Sequence, residues 1–306
     1  MKPNLWITGV AGFSGRHLVE VVAGRPDRPR IVGLDLQDRP APGVDAYHVV
    51  DSTRPDEVGS IARSDPPRWV IHLAGAVPPT GEAQMWLANV GSTVGLLRGL
   101  AAAGCRDVRV VTVGSAAEYL PGAQCPLTED SPCGGASAYG RTKWAQTMLA
   151  LHAGRALGLA TMVVRPFNLI GPGLSEHLVA GWLCRQFARA GDEDEIRIGN
   201  TKSARDFVDI RDAVAAYWLV AQKGQAGEVY NVCTGKPVRV EHLLTWLGEL
   251  TRKSPRIQVD TARLRAADTD QSYGDYTKLR QATGWEPLIS LQESLEDMLT
   301  VLSERR

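Results

Sequence analysis

The sequence predicts a doubly wound α/β fold, a parallel sheet covered by helices on both faces, with a smaller C-terminal lobe. Three observations predict it. Short apolar runs alternate with longer segments of helical period through the first half of the chain. A glycine-rich turn joins the first apolar run to the first helical segment. Gly9, Asp35, Gly75 and Ser115 all fall just after such runs, where open α/β sheets hold their ligand crevice.

In chain order, Leu5 to Thr8 reads as the first strand and Phe13 to Ala23 as the first helix. Ile31 to Leu34 and Ala46 to Val50 read as the next strands, followed by a helix over Pro55 to Arg63. Trp69 to Leu73, Val108 to Val113 and Thr161 to Val164 continue the sheet, and their unbroken apolar character marks strands buried on both faces. Met85 to Ala103 and Tyr139 to Leu157 read as the intervening helices. After Pro166 the pattern is less regular, with loops at Gly171 to Ser175 and Gly191 to Glu195 and a helix over Val240 to Thr251. We read residues 1–165 as a dinucleotide-binding core that carries the catalytic residues, and 166–306 as further strands plus a substrate-binding lobe.

Length and charge narrow the function. At 306 residues the chain can bury an ample core, and its 34 basic and 34 acidic residues cancel. That balance argues against nonspecific affinity for nucleic acid or anionic membrane. No uninterrupted apolar stretch approaches the roughly 18 residues of a membrane span. The apolar run after Met1 and Lys2 enters a glycine turn at Gly9 instead of a signal-peptide cleavage site. Cys105, Cys125, Cys133, Cys184 and Cys233 form no zinc-type pair and no even disulfide set, so no metal is expected and a reducing cytoplasm is.

Gly9, Val10, Ala11, Gly12, Phe13, Ser14 and Gly15 make a GxxGxxG turn at the mouth of the first helix, the position of a Rossmann dinucleotide fingerprint. Glycine there permits the tight turn and lets a pyrophosphate approach the helix N-terminus. Asp35 follows Gly15 by 20 residues and would accept hydrogen bonds from the adenosine ribose. A carboxylate repels a 2′-phosphate, so NAD(H) is favoured, with NADP(H) possible because Arg39 is near. Asp51 and Ser52 are placed either to reach the adenine edge or to cap the next helix. Leu73, Ala74 and Gly75 form a small-residue turn where backbone passes the cofactor, and His72 reads as packed.

Tyr139 and Lys143 stand four apart on one helix face, with Ser115 at the end of an apolar run. A phenol titrates near pH 10, and a nearby ammonium need lower that by only about 2 to 4 units to make phenolate accessible.

These residues, with HLAGA at 72–76, Asn89 with Gly91 and Thr93, and YGRTK at 139–143, resemble the extended short-chain dehydrogenase/reductases that act on nucleotide sugars. The resemblance continues through VRPFNLIGPG at 164–173, RDFVDIRD at 205–212, GEVYNVCTGK at 227–236 and TKLRQATGWEP at 277–287. Those later segments are most similar to the GDP-4-keto-6-deoxy-D-mannose reductases, relatives of GDP-mannose 4,6-dehydratase. The resemblance implies Tyr139 as general acid/base, Lys143 as the residue that lowers its pKa and holds the nicotinamide ribose, and Ser115 as partner of the substrate oxygen. It adds Asn89, Val113 and Phe167 to the cofactor contacts. For the substrate it implies Asn168 and Arg205 at the diphosphate, and Arg265 and Asp268 at phosphate and ribose. It also implies a homodimer.

In the dehydratases of this family an acid follows the catalytic Ser or Thr; here Ala116 and Ala117 stand in those places. Glu118 comes one place later, where an extended chain would turn it away from the crevice. The expected reaction is therefore NAD(P)H-dependent reduction of a GDP-linked 4-keto-6-deoxy sugar, GDP-4-keto-6-deoxy-D-mannose to GDP-D-rhamnose. A 4-epimerase or dehydratase is the alternative. A noncatalytic regulatory or RNA-binding module would show a damaged triad or a broken glycine turn, and neither is seen. Arg165, Asp209, Arg211 and Asp212 read as a structural charge network.

Overall fold

The computed structural model describes residues 2–191, 194–260 and 270–304. The chain runs β1 (Asn4–Thr8), α1 (Phe13–Ala23), β2 (Arg30–Asp35), β3 (Ala46–Val49), α2 (Pro55–Ser64), β4 (Pro67–His72), α3 (Glu82–Trp86), α4 (Ser92–Ala102), β5 (Arg109–Val113), α5 (Ala138–Leu157) and β6 (Ala160–Pro166). It continues with β7 (Asn168–Ile170), α6 (Val179–Arg189), β8 (Glu195–Ile198), β9 (Ala204–Asp209), α7 (Ile210–Lys223), β10 (Val229–Val232), β11 (Pro237–Arg239) and α8 (Val240–Thr251). The last described elements are β12 (Arg256–Val259), β13 (Gln271–Ser272), α9 (Thr277–Thr283) and α10 (Leu291–Glu304).

Seven strands form one sheet in the order β10-β6-β5-β4-β1-β2-β3, and every pairing in it is parallel. Each strand sends alternate side chains to opposite faces. Leu5, Ile7, Ile31, Ile71 and Val111 pack with α1 and α7 on one side. Trp6, Val32, Val70 and Val110 pack with α2, α4 and α5 on the other. Burial on both faces explains why these strands lack polar alternation, and each buried Leu or Ile contributes about 2 kcal/mol.

The second half of the chain is divided between two jobs. β10 extends the main sheet beside β6, and α7 shares the core of α1. The remaining strands build the lobe: β11-β9-β13 with β7 on β9, plus a β12-β8 pair. α6, α8 and α10 cover it with a separate apolar cluster. Phe13 packs against both clusters, and the His17 ring bonds Pro172 O at 2.9 Å, so α1 ties the lobe to the core.

One expected helix is interrupted. Met85 to Ala103 resolves into α3, a π-helical turn at Leu87–Gly91, and α4. Ser92 Oγ donates to Ala88 O and Thr93 Oγ1 to Asn89 O, side-chain bonds that compete with the regular backbone ladder at this point.

Candidate active site

β1 and β4 are neighbours, but the chain departs in opposite directions from them, which opens a crevice beyond their carboxyl ends. Gly9 lies in this crevice with φ of 66°, and a Cβ there would sit 2.9 Å from the Ala74 backbone. Its amide donates to Leu34 O at 2.8 Å, and Gly12 N closes the turn on Gly9 O at 3.0 Å. Gly12 begins α1 with no side-chain cap, so the first helical amides keep their capacity for an anion. Asp35 ends β2 beside this turn; its carboxylate accepts from Ala11 N at 3.0 Å and Gln37 N at 3.2 Å. Ser14 follows at the helix entrance and Arg39 is exposed beyond Asp35. An uncapped helix start, a glycine cradle and an acid at the end of β2 fit a dinucleotide.

Opposite the glycine turn, Leu73 N donates to Thr8 O at 3.2 Å and Ala74 N to Thr8 Oγ1 at 3.2 Å. Asn89, expected at the cofactor, sits against the Ala76 loop. It is buried; its carbonyl accepts from Ala76 N at 2.8 Å, and its NH₂ donates to Ala76 O at 3.1 Å and Thr142 Oγ1 at 2.9 Å. Its amide braces the 74–76 shelf against α5. Asp51 enters α2 with one oxygen held by Thr53 N and Oγ1, at 2.9 and 2.7 Å. The Ser52 backbone presses against Gly95 of α4. Phe167, also expected at the cofactor, has its ring buried among Tyr119, Cys233 and Gly274.

Ser115 follows β5, and Tyr139 and Lys143 lie four residues apart on α5, whose Lys143 ammonium reaches back to Val113 O at the end of β5. Ser137 caps α5 by accepting from Gly140 N at 3.0 Å. Gly140 lets the helix press on the Ala117 carbonyl, where a Cβ would collide. That contact seats the start of α5, and with it Tyr139, against the turn that follows Ser115.

The charge states differ from the sequence expectation. Desolvation pushes the Tyr139 phenol up to about 12, against the Ser115 hydrogen bond that lowers it, and Glu118 raises it further. Lys143 does not bring it down in this arrangement, because its ammonium turns to Val113 O and Gln146 Oε1. Burial lowers Lys143 itself to about 8.

Gln146 belongs to a buried chain that no spacing announced. Its Nε2 donates to Thr93 Oγ1 at 2.9 Å, Thr93 meets His72 Nε2 at 3.0 Å, and His72 Nδ1 meets Thr8 Oγ1 at 2.7 Å. Burial pushes His72 down to about 3, so it is neutral and packed, as read from sequence.

The substrate candidates divide. Asn168 on β7 and Arg205 on β9 lie on paired strands of the lobe; Asn168 Nδ2 donates to Asp206 O at 2.9 Å and the residue stays exposed. Asp206 faces inward to Thr234, Gly235 and Gly274, while Asp209 takes Arg211 and Ser294. Arg265 and Asp268 lie outside the described residues. Of the anticipated charge network, Arg211 joins Asp209 and Asp297, and Asp212 accepts from Leu288 N and Ile289 N. Arg165 departs from it to pair with Glu118 at 2.8 Å, directly behind Ser115.

A family model for NAD dependent epimerases/dehydratases matches residues 5–233, more than half of the chain. The chain belongs to the NAD-dependent epimerase/dehydratase family. Among curated family members, a GDP-6-deoxy-D-mannose reductase from Pseudomonas aeruginosa is 30% identical over 98% of this chain and 97% of its own. The structure of RMD from Pseudomonas aeruginosa complexed with NADPH superposes with TM-score 0.87 at 30% identity, covering 100% of this chain and 99% of that one. MoeE5 in complex with UDP-glucuronic acid and NAD gives TM-score 0.86 at 27% identity, covering 99% and 100%. Family members thus hold NADPH in one case and NAD in the other. No helix among the described residues is long and apolar enough to cross a membrane.

Proposed function

We propose that the protein reduces the C4 ketone of a nucleotide-linked 4-keto-6-deoxy sugar, GDP-linked by the likeness to GDP-6-deoxy-D-mannose reductase, using NADH or NADPH. The observation that carries this reading is a tyrosine and a serine of the family pattern with, among the described residues, no free acid at the positions after the serine. Ala116 and Ala117 carry no proton, and Glu118 is spent on Ser115 N and Arg165. Loss of water from the sugar would need such an acid or base; reduction needs only a proton donor at the oxygen.

The nicotinamide, when bound, supplies hydride chemistry. Gly9, Gly12, Phe13, Ser14, Gly15 and Asp35 would hold the dinucleotide, with Leu73, Ala74 and Gly75 as its opposite wall. Ser115 Oγ donates to the developing alkoxide and Tyr139 delivers its proton there. Lys143, four residues along α5 from Tyr139, would hold the nicotinamide ribose. Asn168 and Arg205 take the diphosphate, for which a guanidinium offers paired donors. Residues 166–306 would thereby add strands to the 1–165 cofactor core and supply the substrate lobe.

The test incubates purified protein with NADH or NADPH and a GDP-4-keto-6-deoxy sugar. Loss of reduced-nicotinamide absorbance with formation of the 4-hydroxy sugar is expected; no cofactor oxidation with any keto sugar refutes the reading. Interconversion of two 4-hydroxy sugars without net cofactor change would instead identify a 4-epimerase.

We assign a homodimer to this chain from the exposed apolar side chains Trp86, Leu87, Trp144 and Met148, carried by the α3 to α5 region. Light scattering showing a monomer at micromolar concentration would refute that. Five free thiols suit a reducing cytoplasm.

A further inference from the structure

Residues 115–118 wind into a single 3₁₀ turn instead of extending, and this redirects Glu118. Its Oε1 accepts from Ser115 N at 2.8 Å, and its Oε2 accepts from Arg165 Nε at 2.8 Å. The Ser115 hydroxyl accepts from Ala117 N at 3.1 Å, which completes a reciprocal capping box. Glu118 is 0% exposed, and its carboxylate lies so close to Gly114 that a Cβ there would collide with it. Arg165 also donates to Tyr119 Oη and Glu129 O, both at 3.3 Å, and lies 5.0 Å from the Tyr119 ring centroid. The Tyr119 hydroxyl donates to Asn231 Oδ1 at 2.6 Å.

A buried ion pair is costly to desolvate and is often replaceable by apolar groups with no loss of stability. Stability alone therefore gives little reason for a carboxylate here. Its location gives a better one. The charged or titratable groups facing it are Arg165 on β6, Lys143 and Tyr139 on α5, and Cys133 in the adjoining loop. Two of these belong to the catalytic triad, and the third member donates its backbone amide to Glu118.

We propose that Glu118 is a positioning residue for catalysis: clamped by Arg165, it holds the Ser115 amide from inside the turn and fixes the serine against Tyr139 in the arrangement that delivers a proton. This rests on the reduction reading above. The charge acts in the same sense as the geometry, because a carboxylate behind the site disfavours phenolate at Tyr139 and favours ammonium at Lys143.

The experiment compares Glu118→Gln with wild type for kcat, KM, NADPH affinity by fluorescence, and the pH profile of reduction. In parallel, ¹³Cε-lysine NMR follows the Lys143 titration, assigned by the signal missing from Lys143→Met. Expected are a fall in kcat of about 10- to 100-fold, with KM and cofactor affinity within about threefold, and a basic limb moved to lower pH. The Lys143 midpoint, about 8 in the wild type, should also fall. A kcat within twofold of wild type, or a fall in kcat matched by a rise in KM with the Lys143 midpoint unmoved, overturns the proposal. If Glu118→Gln does not fold, the double variant E118Q/R165Q, which replaces the ion pair with neutral amides, is read by the same criteria. If the wild type reduces no keto sugar, the reaction reading fails by itself. The Lys143 midpoint then decides whether Glu118 acts on the triad.

Discussion

Replacing Gly9 by Ala tests the cofactor crevice without reference to the reaction. Two penalties apply. A φ of 66° costs an L-residue roughly 1 to 2 kcal/mol. The added Cβ would also lie 2.9 Å from Ala74 N and Cα, inside the 3.4 Å at which ordinary contact begins, so the turn must retreat from the 74–76 shelf by about half an ångström. The helix-start amides move with it. A hydrogen bond from an amide to a charged phosphate is worth about 1.5 to 3 kcal/mol, so losing one weakens NADH or NADPH binding roughly 10- to 100-fold. Gly158→Ala separates the two penalties. Gly158 ends α5 with φ of 71° and nothing within 4 Å of a Cβ, so it carries the strain but no collision. Both variants should melt a few degrees below wild type, and only Gly9→Ala should lose cofactor affinity in a fluorescence titration. Gly9→Ala binding within twofold of wild type, or equal losses in both variants, would refute the placement of the dinucleotide on this turn.

Lys143→Met should abolish reduction while changing stability with a definite sign. Burial depresses the folded-state pKa from 10.5 to about 8, so the folded state releases a proton that the unfolded chain still holds between those values. Wild-type stability therefore carries a penalty below pH 8 that is relieved as pH rises toward 10.5. The melting temperature of Lys143→Met relative to wild type should fall across that window, and a flat difference would contradict a depressed Lys143. Asp35→Asn removes the charge that opposes a 2′-phosphate, and the ratio of NADPH to NADH affinity should rise about tenfold, a change of about 1.4 kcal/mol; an unchanged ratio in paired titrations would take Asp35 out of cofactor selection. Asn89→Leu leaves Ala76 N and O without their partner, for a loss of about 2 to 4 kcal/mol by denaturant melt and weaker cofactor binding. A cost below about 0.5 kcal/mol would show that the shelf does not depend on this brace.

The sequence by itself determined the architecture and the family. α1 and α8 begin and end where their periodicity places them, and the six expected strands appear in one parallel sheet. These features are local: strand burial on two faces, a glycine turn and an i, i+4 pair are all written within short windows. What only the tertiary structure decided depends on partners distant in sequence. Glu118 was expected to point away because an extended chain alternates. A 3₁₀ turn, with Arg165 from 47 residues on, folds it back beneath Ser115. The partners of Asn89 and Phe167, the Ala76 loop and the Tyr119 cluster, likewise come from distant sequence. The spacing of Tyr139 and Lys143 correctly put them on one face, but their protonation follows from desolvation and from where the ammonium points. Helical spacing specifies which side chains share a face; burial and the partners brought by the fold shift their pKa values.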